Sequence, residues 1–309
     1  MFYFLIGFFL NFIIFKLIKP ILKKNFIVFP NERSSHKVAT PSGGGLSFVI
    51  TIIIILLING LGNQFSSNYQ SIFFASSFLG LIGLFDDYFD LPTNIRFLIQ
   101  FLVAYWIIKD SNFSNSAIIL QFLIGFVGIS LINFFNFVDG IDGLLAGSMI
   151  VLLSSSIIFL SLSPVFWALV GALSLFLIFN WSPANIFMGD VGSLFLGSIF
   201  FGISVNADNF ENMIRILFIA SPIFFDAIFC IIRRKFAGEN IFIPHKKHLY
   251  QRLVEGGMNH SQVSAIYILS IVFLGLINNF YDIYLLLFSS FCIFLFGIIL
   301  DLRFASSFK

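Results

Sequence analysis

Long runs of apolar residues without a charge are the feature that most constrains the fold of this chain. One run extends from Leu46 to Leu61 and contains no Asp, Glu, Lys or Arg. Only 10% of the 309 residues are charged and 59% are hydrophobic, whereas soluble domains carry about 25% charged and about 45 to 50% apolar residues. The apolar residues are continuous and do not alternate as they do in a membrane barrel, so we expect an all-α integral membrane protein.

Polar, Gly or Pro residues divide the apolar sequence into eleven candidate membrane spans. These are Met1 to Leu17, Gly45 to Leu61, Ser71 to Phe85, Ile95 to Ile108, Ala117 to Phe135, Leu144 to Leu162, Pro164 to Phe179, Ser193 to Val205, Met213 to Ile232, Ser261 to Leu276 and Ile283 to Leu300. The loops then alternate between two faces, and 15 of the 17 Lys and Arg residues fall on one of them, with Lys109 and Arg215 on the other. By the positive-inside rule the basic face is cytoplasmic, which predicts an outside N-terminus and a cytoplasmic C-terminus.

The remaining composition excludes some classes of protein. No linker or internal repeat divides the chain, so residues 1–309 are treated as one domain. A net charge of +2 is too small to indicate a nucleic-acid partner. Cys230 and Cys292 both lie inside apolar runs, which indicates neither a disulfide framework nor a zinc site.

The predicted cytoplasmic loops hold nearly all the clustered polar residues. The first of these loops ends in Gly43, Gly44 and Gly45, directly before the second span. Glycines at the start of a helix would leave backbone N–H groups free for a phosphate, and Lys37 is near enough in the chain to add charge. A flexible entry to the helix is the alternative interpretation.

Two acidic clusters follow at the ends of later spans. Asp86 and Asp87 are adjacent carboxylates that repel each other unless a cation or a donor compensates, which favours a metal or proton-transfer role over a structural one. Asn136, Asp139 and Asp142 recur every three residues, so on a helical turn their oxygens would face one ligand. An ordinary turn rich in Asp and Gly is the alternative, and a calcium loop is excluded because the distal Glu is missing.

Two further clusters complete the set. Asp190 stands between glycines at the start of a helix, where it could reach a metal or simply act as a cap. The run from His245 to Arg252 carries several cationic groups, which indicates a clamp for diphosphate, a solvated basic face or an anchor for anionic lipid. His260 is interpreted as a loop residue, and Asp226 within the ninth span is left without a role.

Taken in order, the segments PSGGG, GLFDDYFDLP, NFVDGIDGL, FMGDVGSL and PHKKHLYQRL resemble the signature series of the polyprenyl-phosphate N-acetylhexosamine-1-phosphate transferases, glycosyltransferase family 4. The resemblance implies transfer of a sugar phosphate from a UDP-N-acetylhexosamine to undecaprenyl phosphate in the bilayer, with Mg²⁺ required and UMP released. It also implies a multi-pass protein of the inner membrane whose site faces the cytoplasm. Whether the chain forms a homodimer is left open.

The family's functional residues are carried over only where this chain has the matching residue. Asn136 and Asp190 match Mg²⁺-contacting positions, and Asp86 and Asp87 match paired aspartates at the catalytic centre. Lys37 stands where relatives place a lysine near the nucleotide. Positions matching contacts to the uridine part of the donor are Asp139, Gly140, Asp142, Asn180 and Phe187.

The basic run departs from the muramoyl-pentapeptide branch of the family, which has three successive histidines. Here His245 and His248 are separated by two lysines, which resembles the branch that starts O-antigen, capsule or related glycans. These histidines and the neighbouring lysines are expected to balance charge during the transfer. Relatives in this branch often have a basic residue at the position of Ser42, and the effect of Ser42 on donor choice is left open.

The mechanism and the competing functions also stay open at this point. Asp86 or Asp87 would orient or deprotonate the lipid phosphate, or one of them would form a phospho-aspartate in a two-step path. A cation-coupled transporter of an anionic metabolite is the alternative function. It is disfavoured because transporters keep ionisable residues near the bilayer midplane, whereas all but Asp226 lie at span ends or in loops. A scaffold without activity is a third alternative, disfavoured by the intact acidic positions.

Overall fold

A computed structural model describes residues 1–29, 38–60, 67–241, 243 and 245–308. Apart from a small pairing of two short strands, its regular structure is helical. The elements are α1 Phe2–Asn25, β1 Ile27–Val28, β2 Thr40–Pro41, α2 Leu46–Gly60, α3 Ser67–Phe89, α4 Thr93–Lys109, α5 Ile118–Val138, α6 Leu144–Leu160, α7 Phe166–Asn180, α8 Asp190–Val205, α9 Phe210–Ile219, α10 Ser221–Phe236, α11 Leu249–Glu255, α12 His260–Phe280 and α13 Ile283–Phe304.

Within the described residues, ten of the eleven predicted segments each fall on one helix, whereas the ninth, Met213 to Ile232, is divided between α9 and α10. The number of membrane crossings is not confirmed. Within the described ranges, five helices are long and apolar enough to cross a bilayer, namely α1, α3, α5, α12 and α13. A sixth span is obtained if α9 and α10, which meet at a bend of 75°, are counted as one. Because α2, α6, α7 and α8 are apolar but shorter, eleven spans and the sidedness of the termini remain predictions.

The core is built around α8. Every residue from Val191 to Val205 is buried, as expected for a helix that is apolar on all sides. α3 and α5 pack along α8, and α3 ends where α8 begins. The acidic C-terminal end of α3, the end of α5 and the N-terminus of α8 therefore meet at one end of the bundle.

A candidate active site at the N-terminus of the central helix

Asp190 and Asp87 join the start of α8 to the end of α3. The backbone N–H of Asp190 donates to both carboxylate oxygens of Asp87, at 3.1 and 3.3 Å. The helices approach so closely that a Cβ on Gly83 would lie 2.5 Å from the carbonyl oxygen of Asp190. Gly83 is therefore the residue that allows the two aspartates to meet.

Asn136, at the end of α5, completes this group. Its side-chain nitrogen donates to Oδ1 of Asp190 and to Oγ of Ser193, both at 2.9 Å. The structure thus brings together the two residues predicted to contact the metal. Ser193 was not predicted, although it lies on the same helix as Asp190, one turn further along.

The two adjacent aspartates, Asp86 and Asp87, have different surroundings. Asp86 is buried, and its oxygens accept from the backbone N–H of Leu91 at 2.9 Å and from Arg96 at 3.0 Å. Asp87 instead lines a cavity of about 280 Å³. Of the predicted catalytic pair, Asp87 is therefore the one that lines the cavity.

The cavity collects most of the residues that the sequence predicts for the donor. Its lining includes Asp87, Asp139, Asp142, Asp190, Gly140, Asn180, Phe187, Ser42, Gln251 and His260. Among the described residues no Lys or Arg lines it. Burial, and then the neighbouring carboxylates of Asp190, Asp87 and Asp142, raise the pKa of Asp139 well above its usual range.

The donor atoms of this group fit a hard divalent cation. Carboxylate and amide oxygens are the ligands that Mg²⁺ prefers, and Mg²⁺ is commonly bound through one or two carboxylates together with substrate phosphates. Asp190 and Asp87 offer two carboxylates, and the side-chain amide of Asn136 contacts the first of them. A diphosphate would be repelled by the ionised carboxylates of this cavity unless a cation stood between them.

Asp142 and Asn180 lock the loops around the cavity. Asp142 accepts from the backbone N–H of Ala184 at 3.1 Å and pairs with Nδ1 of His260 at 3.3 Å. Although burial raises the pKa of Asp142, these partners, first of all His260, outweigh it and lower that pKa. Asn180 accepts from the N–H of Gly143 at 3.1 Å and donates to the carbonyl of Ile186 at 3.0 Å.

His260 is a site residue that sequence reasoning missed. It was interpreted as a loop residue, but it is the first residue of α12, and it lines the cavity beside Asp142. No local pattern marks it, because its partner lies 118 residues earlier in the chain.

The expectation for the glycine segment is wrong in its detail. The N–H groups of Gly44 and Gly45 are not free for a phosphate, since they donate to the carbonyls of Phe187 and Met188, each at 2.9 Å. The segment therefore holds the loop before α8 in place, and Ser42 next to it lines the cavity. Lys37 lies outside the described residues.

His245 and His248 do not line the cavity. The centroids of their rings are 5.0 Å apart, and the ring of His248 lies 5.7 Å from that of Tyr250. Tyr250 reaches the acidic loop, because its hydroxyl donates to the carbonyl of Phe137 at 2.7 Å. The histidines are thus connected to the cavity through Tyr250.

Asp226 holds this part of the chain in position. Its carboxylate accepts from the backbone N–H groups of Leu249 at 2.7 Å and Tyr250 at 3.2 Å, which open α11. It also accepts from the hydroxyl of Tyr267 at 2.7 Å. The residue that the sequence left without a role therefore caps α11.

The cations of the basic run have acidic partners. Lys246 pairs with Glu255 at 3.1 Å and Lys247 with Glu239 at 2.5 Å. Arg252 pairs with Asp301. Burial, and then the neighbouring cationic groups, lower the pKa of His245 to about 4, so that this ring is neutral near pH 7. The run therefore supplies less free positive charge than its sequence indicates.

Comparisons with known proteins agree with the motif series. The model of glycosyl transferase family 4 matches residues 69–208. A probable undecaprenyl-phosphate N-acetylglucosaminyl 1-phosphate transferase of Bacillus subtilis is 32% identical, over 83% of this chain and 79% of the relative. An undecaprenyl-phosphate alpha-N-acetylglucosaminyl 1-phosphate transferase of Thermotoga maritima is also 32% identical, over 85% of each chain.

A phospho-N-acetylmuramoyl-pentapeptide-transferase of Staphylococcus carnosus is 28% identical, over 89% of this chain and 96% of the relative. The chain belongs to glycosyl transferase family 4, the polyprenyl-phosphate N-acetylhexosamine-1-phosphate transferases. It is a transferase and a multi-pass membrane protein.

Proposed function

We propose that the chain transfers N-acetylhexosamine-1-phosphate from a UDP-sugar to undecaprenyl phosphate, and that the diphosphate-linked lipid it forms initiates a cell-surface glycan. The single observation that carries this proposal is the cavity at the start of α8, where four carboxylates meet within a chain that otherwise avoids charge. Membership of the family supports it, and the activities for which the relatives are named suggest the substrates.

The donor is proposed to be UDP-N-acetylglucosamine or a related N-acetylhexosamine. Two relatives at 32% identity are named for N-acetylglucosaminyl transfer. The spacing of His245 and His248 differs from the three successive histidines of the muramoyl-pentapeptide branch. We therefore favour a role in O-antigen, capsule or related glycans over peptidoglycan.

The cavity would hold the donor with its uridine near Asp139, Gly140, Asp142, Asn180 and Phe187. Of these residues, Asn180 already uses both ends of its amide in hydrogen bonds to the backbone, so its contribution would be to shape the pocket. The N-terminus of α8 lies beside the pocket, and its dipole favours the negative charge of the diphosphate. Asn136 and Asp190 would hold Mg²⁺, which when bound supplies charge neutralisation for phosphoryl transfer.

In the proposed reaction an oxygen of the lipid phosphate attacks the β-phosphorus of the donor. A P–O bond forms there while the bond from that phosphorus to the bridging oxygen breaks, and its electron pair leaves with UMP. Asp87 lines the cavity, and in this proposal it would orient the nucleophile or accept its proton. Attack by an aspartate carboxylate to give a phospho-aspartate is the two-step alternative.

The roles of the basic run in this reaction are narrower than its charge suggests. His245 and His248 lie outside the cavity, so in this proposal they would act on the reaction only through Tyr250. Asp86 would act through Arg96, with which it forms an ion pair at 3.0 Å.

The proposed location is the inner membrane, with the site on the cytoplasmic face, where the basic loops are predicted. A homodimer is compatible with this location.

The transporter alternative is not favoured, because the relatives are phosphotransferases and the carboxylates cluster at helix ends.

One assay distinguishes the transferase from the transporter. Purified protein is given undecaprenyl phosphate, Mg²⁺ and a panel of UDP-N-acetylhexosamines, and UMP and lipid product are measured with and without a chelator. We expect product from one donor, lost on chelation. Uptake of a solute into proteoliposomes without release of UMP would instead support the transporter.

A further inference from the structure

A second cluster of metal-ligating side chains lies apart from the carboxylate cavity. Ligand atoms of Cys230, His245 and His248 all lie within 4.8 Å of one another. Cys230 comes from α10, His245 from the loop that follows, and His248 from the residue that precedes α11. None of the three lines the cavity that holds Asp87 and Asp190.

The chemistry of this cluster differs from that of the carboxylate site. One sulfur and two imidazole nitrogens form a borderline-soft set that suits Zn²⁺ and its heavier analogues, whereas Mg²⁺ prefers oxygen. Three protein ligands leave one position of a tetrahedral ion for water or another ligand. His245 is only half-buried, so an ion would have a route to the cluster on that side.

The surroundings of His248 fit those of a metal-bound histidine. This residue is 3% exposed. Nδ1 lies 3.4 Å from Oδ1 of Asp226, an ion-pair distance. A carboxylate beside the ring is the usual outer partner of a metal-bound histidine, because it orients the ring and raises its basicity.

Asp226 is itself held firmly. It accepts hydrogen bonds from Leu249 and Tyr267, and it lies one helical turn before Cys230 on α10. The cysteine and the carboxylate therefore occupy the same side of the helix. The ring of His248 stands between a fixed carboxylate and the other two members of the cluster.

We propose that Cys230, His245 and His248 bind a zinc-class divalent ion with three protein ligands, and that the ion ties the basic run to α10. This site uses none of the oxygen ligands of the carboxylate cavity. The proposal does not depend on the transferase reaction, and its test reads the thiolate directly.

The test uses Cd²⁺ as the probe, because a cadmium-bound thiolate gives an ultraviolet charge-transfer band that oxygen ligands do not. The chain has two cysteines, and Cys292 is exposed on α13 and is not a member of the cluster. Cys292→Ser is therefore the matched control for Cys230→Ser. Purified full-length protein with reduced thiols is titrated with Cd²⁺, and Zn²⁺ is then added as a competitor.

We expect a saturable band in the wild type and in Cys292→Ser, displaced by Zn²⁺ and absent in Cys230→Ser. His245→Gln should weaken Cd²⁺ binding by more than about 100-fold, since even outer partners of a ligand contribute about 10- to 100-fold. Because His245 is half-buried, this variant tests the site even if the cysteine variant fails to fold. No band in the wild type, or a band lost only in Cys292→Ser, would overturn the proposal.

Discussion

Replacing Asp226 by Asn tests whether this carboxylate positions the basic run. The change keeps the size of the side chain but substitutes an NH₂ group for one acceptor oxygen. The carboxylate accepts three hydrogen bonds, from the N–H groups of Leu249 and Tyr250 and from the hydroxyl of Tyr267. Both oxygens of Asp226 accept hydrogen bonds, so in either orientation of the Asn amide its NH₂ group would face at least one of these buried donors.

The expected cost follows from these contacts. A hydrogen bond to a charged group contributes about 1.5 to 3 kcal/mol, and an unsatisfied buried donor costs about 1 to 3 kcal/mol. Loss of one bond, with its donor left unpaired, should therefore lower the free energy of unfolding by about 3 kcal/mol. At about 2 °C per kcal/mol for a larger chain, the melting temperature should fall by about 6 °C.

The assay is thermal unfolding of the purified protein in detergent. Asp282→Asn is the matched control, because Asp282 is exposed and caps α13 through Leu285, a role that Asn fills equally well. We expect the control to melt with the wild type. An Asp226→Asn variant that also melts with the wild type would refute the capping role of Asp226.

Two further predictions concern the loop between α5 and α6. Gly140→Ala places a Cβ 2.1 Å from the hydroxyl oxygen of Tyr250, so the loop that lines the cavity has to move. Because a displacement of about 1 Å of groups at a site costs on the order of 100-fold in rate, kcat/KM for sugar-phosphate transfer should fall by about that factor. Gly297→Ala, whose Cβ would meet its nearest atom at 3.9 Å, should leave activity unchanged, and equal activities of the two variants would contradict the prediction. The lowered pKa of Asp142 means that its ionised form stabilises the fold at neutral pH, and that this stability is lost as pH falls below about 4. Asp142→Asn should therefore have a lower melting temperature than the wild type at pH 7, and the difference between the two melting temperatures should become smaller below about pH 4. A difference that does not change with pH would show that the ion pair of Asp142 with His260 is not its cause.

The positions of the helices could be predicted from the sequence because each apolar run has to satisfy its backbone hydrogen bonds internally. The number of crossings could not be predicted in this way. α7 and α8 have 15 and 16 residues, so their apolar character is that of buried core helices as much as that of membrane spans.

Much of the cavity lining was also predictable, because its residues lie where helices start or end at one face. Asp190, Asp87 and Asn136 come together for this reason. The different surroundings of Asp86 and Asp87 could not be predicted, since neighbouring residues on a helix point about 100° apart and only the packing decides which one faces the cavity.

The residues that sequence reasoning missed act through contacts between distant parts of the chain. His260 pairs with Asp142, and Asp226 caps a helix that starts 23 residues later. The glycine segment was misjudged for a similar reason: its N–H groups are occupied by the loop before α8, which no local pattern shows. Likewise, the acidic residues that pair with the basic run lie before it, at Glu239, and after it, at Glu255 and Asp301, so the run by itself does not show that its charges are neutralised.

Sugar-phosphate transfer by Asp190→Ala, compared with Asp208→Ala in the same membrane preparation, tests the proposed site most directly. Asp190 joins α8 to Asp87 and Asn136, whereas Asp208 is exposed in the loop beyond the other end of α8. Labelled lipid product is measured at saturating donor and Mg²⁺, after equal amounts of folded protein have been verified. Loss of product by Asp190→Ala alone is the predicted result, and full activity of Asp190→Ala would contradict the assignment of the cavity as the active site.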